Sequence, residues 1–318
     1  MIAPRQEEGG RVSETEDGRA QNGRAQNVRA GNGHVENGHA KGGKASFDHI
    51  YNQPDPRPYF QTLAQFGYEI PAHGQAMFSV LVGKLLEEQS PEDLAVLDLC
   101  CSYGVNAALL NHDLTLDDLY ERYRSPELAG LSSQDLADDD ADFYARRRRS
   151  PMPMLGIDTA DQAVDYASRA GLLADGSHEN LEIADPSEGL RRCLAGVSLI
   201  TVTGGIGYIS EHTFDRVLQA TGGAPWVASF ALRWVPYAPI TAVLEKHGLV
   251  TETLAKRTFP QRRFTDEAER SYVIDELERI GIDPTGKEAE GQYHADFYLS
   301  RPAAHVEAQP LEELVAGV

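Results

Sequence analysis

The chain has 318 residues, of which 41% are hydrophobic, and its formal net charge at pH 7 is −20. This length allows one large α/β domain with extensions or two small domains, and the acidic balance argues against nucleic acid or an anionic membrane as a partner, because phosphate contacts need Lys and Arg. The sequence has neither a run of about 18 apolar residues nor the apolar N-terminal segment of a secretory signal, so we expect a cytoplasmic protein.

Residues 1–43 form a low-complexity segment with a degenerate five-residue repeat. The repeat includes two copies of GRAQN, at Gly18–Asn22 and Gly23–Asn27, and it is rich in Gly, Asn and Arg. Such a segment has too few large apolar side chains to offset the entropy of ordering it. We therefore predict a disordered tail, with order beginning near Phe47.

The next segment, residues 44–92, is predicted to form a helical lid. Asp48–Pro71 combines turn-forming prolines with aromatic residues at helical spacing, and Ala72–Gln89 has an amphipathic helical pattern. Core packing of an N-terminal helix explains the apolar side chains equally well. The polar tips of an aromatic cluster, however, suit a lid over a small-molecule site. The residues concerned are Tyr51, Arg57, Tyr59 and Tyr68.

The stretch Ala95–Asn111 predicts a strand, a tight turn and a helix. Ala95–Leu99 is an apolar run with one acid, Asp98, and is typical of a buried parallel strand. Small residues and Gly104 follow, and then a helix-compatible apolar pattern. This order is the first half of a nucleotide-binding βαβ unit, in which the ligand lies at the helix N-terminus. The alternative is a buried strand that binds nothing.

Residues 113–150 interrupt the α/β pattern with two predicted helices, Leu116–Tyr123 and Ser133–Arg148. The second carries an acidic block, Asp138–Asp140, and a basic block, Arg146–Arg149, which we expect to be solvated. Four arginines beside so many acids are a weak nucleic-acid signal. The segment could instead cover the ligand or build a homodimer interface.

After this insertion, strands and helices alternate. The predicted strands are Met154–Ile157, Leu181–Ala184, Val197–Val202, Trp226–Ala231, Leu249–Arg257 and Tyr293–Ser300. With Ala95–Leu99 they predict a doubly wound, mostly parallel α/β sheet of seven strands with helices on both faces. The last strand has no crossover helix after it, which fits an antiparallel strand inserted at the end. Residues 303–318 are expected to form a C-terminal tail.

The segment VLDLCCSYGVNAALL resembles the first motif, VLDLGCGTG, of the class I S-adenosylmethionine (SAM)-dependent methyltransferase family. The resemblance covers about Ala72–Pro302 and implies a Rossmann-like, SAM-binding domain over residues 93–302. Cys100 and Ser102 stand where the family has glycines. Because a positive φ is costlier without glycine, we expect the loop to be shifted.

The resemblance implies cofactor contacts at the ends of successive strands, where open α/β sheets bind ligands. Asp98 would help to hold the methionine ammonium. Asp158 would bind both ribose hydroxyls, and Asp185 would lie near the adenine amino group, although these acids could merely cap helices. The other cofactor-binding residues implied are Cys100, Ser102, Gly104, Thr203 and Gly204.

The implied chemistry is in-line methyl transfer to a small molecule, a specialised metabolite or an amino-acid-like acceptor, and it is chiefly a positioning problem. A base is needed only for an acceptor that is protonated at the working pH, and the candidates are Tyr208, His212 and Tyr68. Tyr59 or Tyr68 could lie over the sulfonium, and Arg233 could bind a substrate carboxylate. Packing or helix capping is the alternative for each.

Other functions stay open at this point. The unusual CCSYG turn is compatible with aminocarboxypropyl transfer or cyclisation of SAM, both of which release methylthioadenosine, and a non-catalytic SAM-binding protein is a further alternative. The first turn lacks the GxGxxG pattern of NAD-dependent dehydrogenases, and a P-loop is absent from the sequence. The three cysteines, Cys100, Cys101 and Cys193, form no CxxC pair, so we expect no metal site.

Overall fold

The computed structural model describes residues 47–254 and 256–318. The predicted disordered tail, residues 1–43, lies outside the described residues. The described part of the chain is built on one central sheet with helices against both faces. Within these ranges, no helix is both long enough and apolar enough to cross a membrane.

The sheet has eight strands. They are β1 (Ala95–Leu99), β2 (Met154–Ile157), β3 (Asp175–Ser177), β4 (Val197–Thr203), β5 (Trp226–Leu232), β6 (Leu249–Thr253), β7 (Phe259–Arg263) and β8 (Gln292–Pro302). The order is β3-β2-β1-β4-β5-β8-β6, and β7 also pairs with β8. Strands β1 to β5 are mutually parallel, whereas β8 runs antiparallel to β5, β6 and β7. The predicted mostly parallel α/β sheet with an antiparallel last strand is confirmed.

The predicted number of seven strands is wrong, because one position in the sheet holds two strands. β6 pairs with the second half of β8, from Tyr298 to Pro302, and β7 pairs with its first half, from Gln292 to Ala295. The strand predicted over Leu249–Arg257 therefore ends at Thr253. The sequence of β7, FPQRR, contains a proline and two arginines, so it carries little of the composition that indicates a strand.

The third strand is also misplaced by the sequence pattern. It is β3, with the sequence DGS, and not Leu181–Ala184. Leu181 is buried, but Ile183 is 71% exposed, so this apolar segment is a turn of which only some side chains enter the core. Gly176 allows β3 to lie close to its neighbouring helix, because a Cβ on it would stand 2.6 Å from a methyl carbon of Val164.

Thirteen α-helices occur in the described ranges. They are α1 (Asp48–Tyr51), α2 (Arg57–Gln65), α3 (Ile70–Leu85), α4 (Val105–Asn111), α5 (Leu116–Arg124), α6 (Ser133–Ala145), α7 (Asp161–Arg169), α8 (Glu188–Leu194), α9 (Glu211–Thr221), α10 (Ala238–Lys246), α11 (Glu267–Arg279), α12 (Ala303–Ala308) and α13 (Leu311–Leu314). The expected C-terminal tail is thus largely helical, and it buries Leu311 and Val315.

Alternation along the strands divides the core between the two faces of the sheet. Val96 and Phe230 pack with α3 and with the helices of the insertion on one face. Leu97 and Val227 pack on the other face, beneath α8, α9 and α10. This period-2 pattern follows from the alternating side-chain directions of a pleated strand.

The insertion packs against the N-terminal helices. Arg57 on α2 donates to the carbonyl oxygens of Leu128 and Leu131 at 2.8 and 3.1 Å. In the same contact region, the hydroxyl of Tyr120 on α5 donates to the carbonyl oxygen of Tyr68 at 2.6 Å. The insertion therefore anchors the segment that connects α2 to α3.

The acidic block of the insertion is not uniformly solvated, because Asp140 is fully buried. Its carboxylate accepts hydrogen bonds from Arg122 Nε and from the hydroxyls of Tyr123 and Tyr166, each at 2.6 Å. Burial raises the pKa of Asp140, while Arg122 and the two hydroxyls oppose that rise. The side chain of Asp138, by contrast, is 72% exposed.

Replacing Asp140 by Ala would leave the guanidinium of Arg122 and two tyrosine hydroxyls without their shared acceptor. We expect the free energy of unfolding to fall by about 3–5 kcal/mol. The matched substitution Asp138→Ala, at an exposed position of the same helix, should change it by less than about 0.5 kcal/mol. Urea denaturation followed by circular dichroism measures both values, and equal losses would contradict a structural role for the buried carboxylate.

Candidate functional site

The carboxyl edge of the parallel strands gathers three of the residues singled out by the sequence. β1 lies between β2 and β4, and Asp98 on β1 is in register with Gly156 on one side and Thr201 on the other. Asp158 follows β2 directly, and Thr203 ends β4. The shared direction of these strands therefore brings Asp98, Asp158 and Thr203 to one edge, where open α/β sheets bind ligands.

Asp98 is buried and lies in a small polar cluster. Its Oδ1 accepts hydrogen bonds from Asn106 Nδ2 at 2.8 Å and from Thr201 Oγ1 at 2.9 Å. Asn106, on the first turn of α4, also donates to Thr203 Oγ1 at 3.0 Å and so ties β1 to β4. Burial raises the pKa of Asp98 to about 7, although both hydrogen bonds act in the opposite direction. A cation placed against this carboxyl group would favour its ionised form.

The turn between β1 and α4 is left-handed at three positions. Cys100 has φ of 58°, Ser102 has φ of 48° and Gly104 has φ of 74°. The two residues that replace the glycines of the motif thus adopt the backbone conformation that glycine favours. A left-handed conformation costs a residue with a Cβ about 1–2 kcal/mol. The turn therefore keeps its shape without these glycines at the cost of backbone strain at Cys100 and Ser102.

Asp158 helps to hold this strained turn. Its Oδ2 accepts the backbone N–H of Ser102 at 2.9 Å, and its Oδ1 accepts the N–H of Ala160 at 3.0 Å. Burial raises the pKa of Asp158, and these backbone donors oppose the rise. An ionised carboxylate has about four acceptor sites, so Asp158 can hold the turn and still accept ligand hydroxyls.

Several buried polar atoms near this edge have no hydrogen-bond partner among the described residues. They are Asn106 Oδ1, Ser102 Oγ, Gln261 Oε1 and His73 Nε2. An unpaired buried donor or acceptor costs about 1–3 kcal/mol. Asn106 is hydrogen-bonded to Asp98, and the backbone of Ser102 is hydrogen-bonded to Asp158. A polar ligand at this edge could therefore form hydrogen bonds with the two unpaired atoms.

Aromatic side chains of the N-terminal segment cover the turn. The ring of Tyr59 lies edge-on to those of Tyr51, Tyr68 and Tyr103, with centroids 5.6, 6.4 and 5.8 Å away. The hydroxyl of Tyr103, which belongs to the turn, accepts the backbone N–H of Gln53 at 2.8 Å. These contacts attach the N-terminal segment directly to the strained turn.

The hydroxyl of Tyr68 points to the end of β4. Gly204, with φ of 74°, has no room for a side chain, because a Cβ there would lie 3.0 Å from Tyr68 Oη and 3.1 Å from Gln261 Nε2. Burial raises the pKa of Tyr68 well above that of a free tyrosine, so its hydroxyl is protonated at neutral pH. Burial therefore works against the predicted role of Tyr68 as a base, and a protonated hydroxyl suits a hydrogen-bonding role.

Two predicted ligand contacts are engaged elsewhere. The side chain of Asp185 is 73% exposed and pairs with Arg216 at 3.0 Å, and it does not end a strand, because β3 stops at Ser177. Arg233 pairs with the buried Glu288 at 2.6 Å and also donates to a backbone carbonyl. Neither side chain is presented to the Asp98–Thr203 cluster by these contacts.

The remaining two candidate bases are exposed. His212 lies on the first turn of α9, where its backbone N–H donates to Ser210 Oγ at 3.3 Å, as expected of a capped helix start. Tyr208 is 57% exposed. It lies close enough to Tyr51 and Tyr68 to contribute to the rise in their pKa values, so it belongs to the rim of the covered edge.

Sequence reasoning missed Asn106 and Gln261. Asn106 could have been found, because it is a polar residue in the first turn of an otherwise apolar helix, two positions after Gly104. Gln261 lies on β7, and without the prediction of that strand its position could not be inferred. His73, on α3, was missed because a single histidine in an amphipathic helix is an ordinary feature.

No protein-family model matches the chain, and no curated protein matches it. Solved structures do. The plantazolicin methyltransferase BpumL in complex with SAH has a TM-score of 0.40 and 9% identity over 80% of this chain and 93% of that chain. The CurJ carbon methyltransferase has a TM-score of 0.39 and 10% identity over 72% of this chain and 54% of that chain.

A third similar structure is the precorrin-6y C5,15-methyltransferase from Geobacter metallireducens GS-15. Its TM-score is 0.32 and its identity is 10%, over 66% of this chain and 80% of that chain. This chain is thus similar to solved methyltransferases.

Backbone strain at Ser102 can be separated from the effect of its buried hydroxyl. Ser102→Gly removes both, and we expect the free energy of unfolding of the ligand-free protein to rise by about 1 kcal/mol. Ser102→Ala removes only the hydroxyl and keeps the strain, so it should be the less stable of the two variants. Urea denaturation of both variants measures the difference.

Gly104→Ala is the opposite control in the same turn. Its Cβ would combine a positive φ with contacts of 3.2 Å to Ala167 and Leu172, so we expect a loss of stability. If Ser102→Gly proved less stable than Ser102→Ala, the left-handed conformation at Ser102 would not be a source of strain.

Proposed function

We propose that the chain is a SAM-dependent methyltransferase that acts on a small molecule, with its catalytic site at the carboxyl edge of the sheet. The observation that carries this proposal is the buried cluster of Asp98, Asn106 and Thr203, in which Asn106 Oδ1 has no partner among the described residues. A carboxylate beside an unpaired amide oxygen suits a ligand ammonium, such as that of a methionine group. When bound, SAM supplies an electrophilic methyl group on a positively charged sulfur.

The strained turn and Asp158 are proposed to hold the ribose. Asp158 keeps acceptor capacity beyond its two backbone donors, and the buried Ser102 hydroxyl has no partner among the described residues. Both groups therefore suit a ligand that carries adjacent hydroxyls. Cys100 and Gly104 are proposed to contribute through the left-handed backbone that shapes the turn.

Thr203 and Gly204 are proposed to form the floor beneath the transferred group. Asn106 fixes the Thr203 hydroxyl, and Gly204 presents bare backbone where the Tyr68 hydroxyl and the Gln261 carboxamide converge. In-line transfer needs the acceptor and the methyl carbon about 3–3.5 Å apart. Close backbone approach at Gly204 favours such contact.

Residues 44–92 are proposed to act as the lid of a catalytic domain formed by residues 93–302. Tyr59 and Tyr68 cover the turn as buried side chains, so they would exclude water from the reacting groups. Tyr59 is the aromatic ring proposed to face the positive charge of the sulfonium. Tyr208, on the exposed rim, is proposed to contact the acceptor as it enters.

A catalytic base is not part of this proposal. Burial raises the pKa of Tyr68, which disfavours proton abstraction by its hydroxyl, and the side chain of His212 is exposed. An acceptor with an available lone pair needs no base before the displacement. The chain then contributes positioning and exclusion of water.

The cofactor assignment is tested by calorimetric titration of the protein with SAM and with S-adenosylhomocysteine. We expect micromolar binding to the unsubstituted protein and a loss of at least about tenfold in Asp98→Ala and in Asp158→Ala, because each removes a charge-assisted contact. Asp185→Ala is the matched control and should leave the affinity unchanged, since its carboxylate is exposed and pairs with Arg216. Absence of binding to the unsubstituted protein would refute the assignment.

The mass of the product formed from SAM then distinguishes methyl transfer from the alternative reactions. Methyl transfer leaves S-adenosylhomocysteine, whereas aminocarboxypropyl transfer and cyclisation leave methylthioadenosine. Binding without turnover of any tested acceptor class would support a non-catalytic SAM-binding protein instead.

Asp98 also predicts a proton linkage. With a pKa raised to about 7, its carboxyl group is largely protonated at pH 6 in the free protein. A bound ammonium favours the carboxylate, so binding at pH 6 should release close to one proton, and affinity should rise between pH 6 and pH 7. Titration in buffers of different ionisation enthalpy measures this release, and Asp98→Asn should abolish it. A binding enthalpy that is independent of the buffer would contradict the raised pKa.

A further inference from the structure

A polar pair from two distant parts of the chain converges on Gly204. Gln261 belongs to β7, and Tyr68 belongs to the connection between α2 and α3. Gln261 Nε2 and Tyr68 Oη lie 3.1 and 3.0 Å from the point that a Cβ of Gly204 would occupy. A backbone link fixes this arrangement, because the N–H of Glu69 donates to the carbonyl oxygen of Gln261 at 2.8 Å.

The same connection is joined to β7 a second time. The N–H of Arg263 donates to the carbonyl oxygen of Phe66 at 2.8 Å. Two backbone hydrogen bonds therefore hold Tyr68 beside Gln261, one on either side of the tyrosine in sequence. Main-chain pairing of this kind positions side chains more rigidly than a free loop does.

The carboxamide of Gln261 has an unmet hydrogen-bonding capacity. The residue is only 4% exposed, and its Oε1 is buried with no hydrogen-bond partner in the part of the chain that the structure describes. A buried acceptor of this kind calls for a donor. We propose that Gln261 and Tyr68 form the subsite that recognises the methyl acceptor, and that the acceptor presents an N–H or O–H group to Gln261 Oε1. This inference rests on the proposed function.

Tyr68 supplies the complementary donor. Burial raises the pKa of its hydroxyl well above that of a free tyrosine, so the hydroxyl keeps its proton at neutral pH. Only the backbone of Gly204 stands beside this hydroxyl, because the residue carries no side chain. The subsite thus offers one acceptor and one donor, which together match a ligand hydroxyl, whereas a ligand N–H uses the acceptor alone.

The ion pairs of two nearby arginines bear on the charge that the methyl acceptor can carry. Arg262, the neighbour of Gln261 on β7, is buried and is paired with Glu269 through contacts of 2.7 and 3.0 Å. Arg233, which the sequence suggested for a substrate carboxylate, is paired with Glu288. Each of these two arginines is already neutralised by its own partner, and the ring of Tyr59 lies edge-on to that of Tyr68. The subsite therefore suits an uncharged acceptor that carries O–H or N–H, and not a free carboxylate.

The test compares small aromatic probes that differ only in the donor: phenol with anisole, and indole with N-methylindole. Ligand-observed NMR titration gives their affinities, with and without S-adenosylhomocysteine. For the unsubstituted protein we expect each donor-bearing probe to bind about fivefold more tightly than its methylated partner, which is the worth of one net hydrogen bond.

Gln261→Met keeps the length of the side chain but removes the amide, and it should bring each ratio to about one. Gln219→Met, at an exposed position on α9, is the matched control and should keep the ratio of the unsubstituted protein. Tyr68→Phe, which removes only the hydroxyl, should weaken phenol and anisole, whose oxygens can accept from it, and leave indole unchanged, because an indole N–H only donates. If Gln261→Met failed to fold, Gln261→Leu, which also removes the amide, would take its place with the same expected ratio of about one.

Equal ratios in Gln261→Met and the unsubstituted protein would overturn the proposal, and so would equal binding of each probe and its methylated partner to the unsubstituted protein. Failure of the proposed function has a different signature. In that case S-adenosylhomocysteine would not bind, while the probe ratios measured without it would still report on Gln261. Calorimetry should also show unchanged S-adenosylhomocysteine affinity in Gln261→Met, since Gln261 is not among the proposed cofactor contacts.

Discussion

The candidate site depends on the burial of one carboxyl group between parallel strands. Asp98 is removed from water at the carboxyl edge, and its only compensation by hydrogen bonds within the cluster comes from neutral donors, Asn106 and Thr201. Neutral donors do not balance the loss of hydration of a carboxylate, so its pKa rises. The edge therefore has a built-in preference for a positively charged ligand, and Asn106 transmits the position of that carboxyl group to Thr203 on the next strand.

The N-terminal segment beside this edge is joined to the sheet by hydrogen bonds. Residues 66–69 exchange backbone hydrogen bonds with β7, and the hydroxyl of Tyr103 in the turn bonds to Gln53. The placement of the aromatic side chains next to the turn therefore depends on β7, which shares its partner strand β8 with β6. The insertion contributes to the same assembly, because Tyr120 on α5 holds the carbonyl group of Tyr68.

The sequence predicted those strands that are apolar runs. It did not predict strands that form only through pairing with a neighbouring strand. β1 and β2 are apolar runs, and their bounds are matched to the residue. β3 is DGS and β7 is FPQRR, so each is a strand only because a neighbouring strand offers its backbone. Asp185 was assigned to the site through the misplaced third strand, and Gln261 was missed through the unrecognised one. Asp140, within an acidic run, is buried because tyrosines from two helices meet it.

Two buried ionised clusters and two buried amides differ in how far the chain satisfies their hydrogen bonding. Arg262 is buried against Glu269 with two hydrogen bonds, and Asp140 is buried with three donors, so these charges are satisfied by the chain itself. Asn106 and Gln261 are equally buried, yet each keeps a carbonyl oxygen without a partner among the described residues. Unpaired buried atoms occur at other described residues too, such as Asn111 and Tyr237, so the two oxygens point to a ligand only through their position: Asn106 bonds to Asp98 and Thr203, and the side chain of Gln261 lies beside Gly204. A polar ligand that reached both oxygens would complete the hydrogen bonding of the edge and would at the same time fix its own orientation over β4.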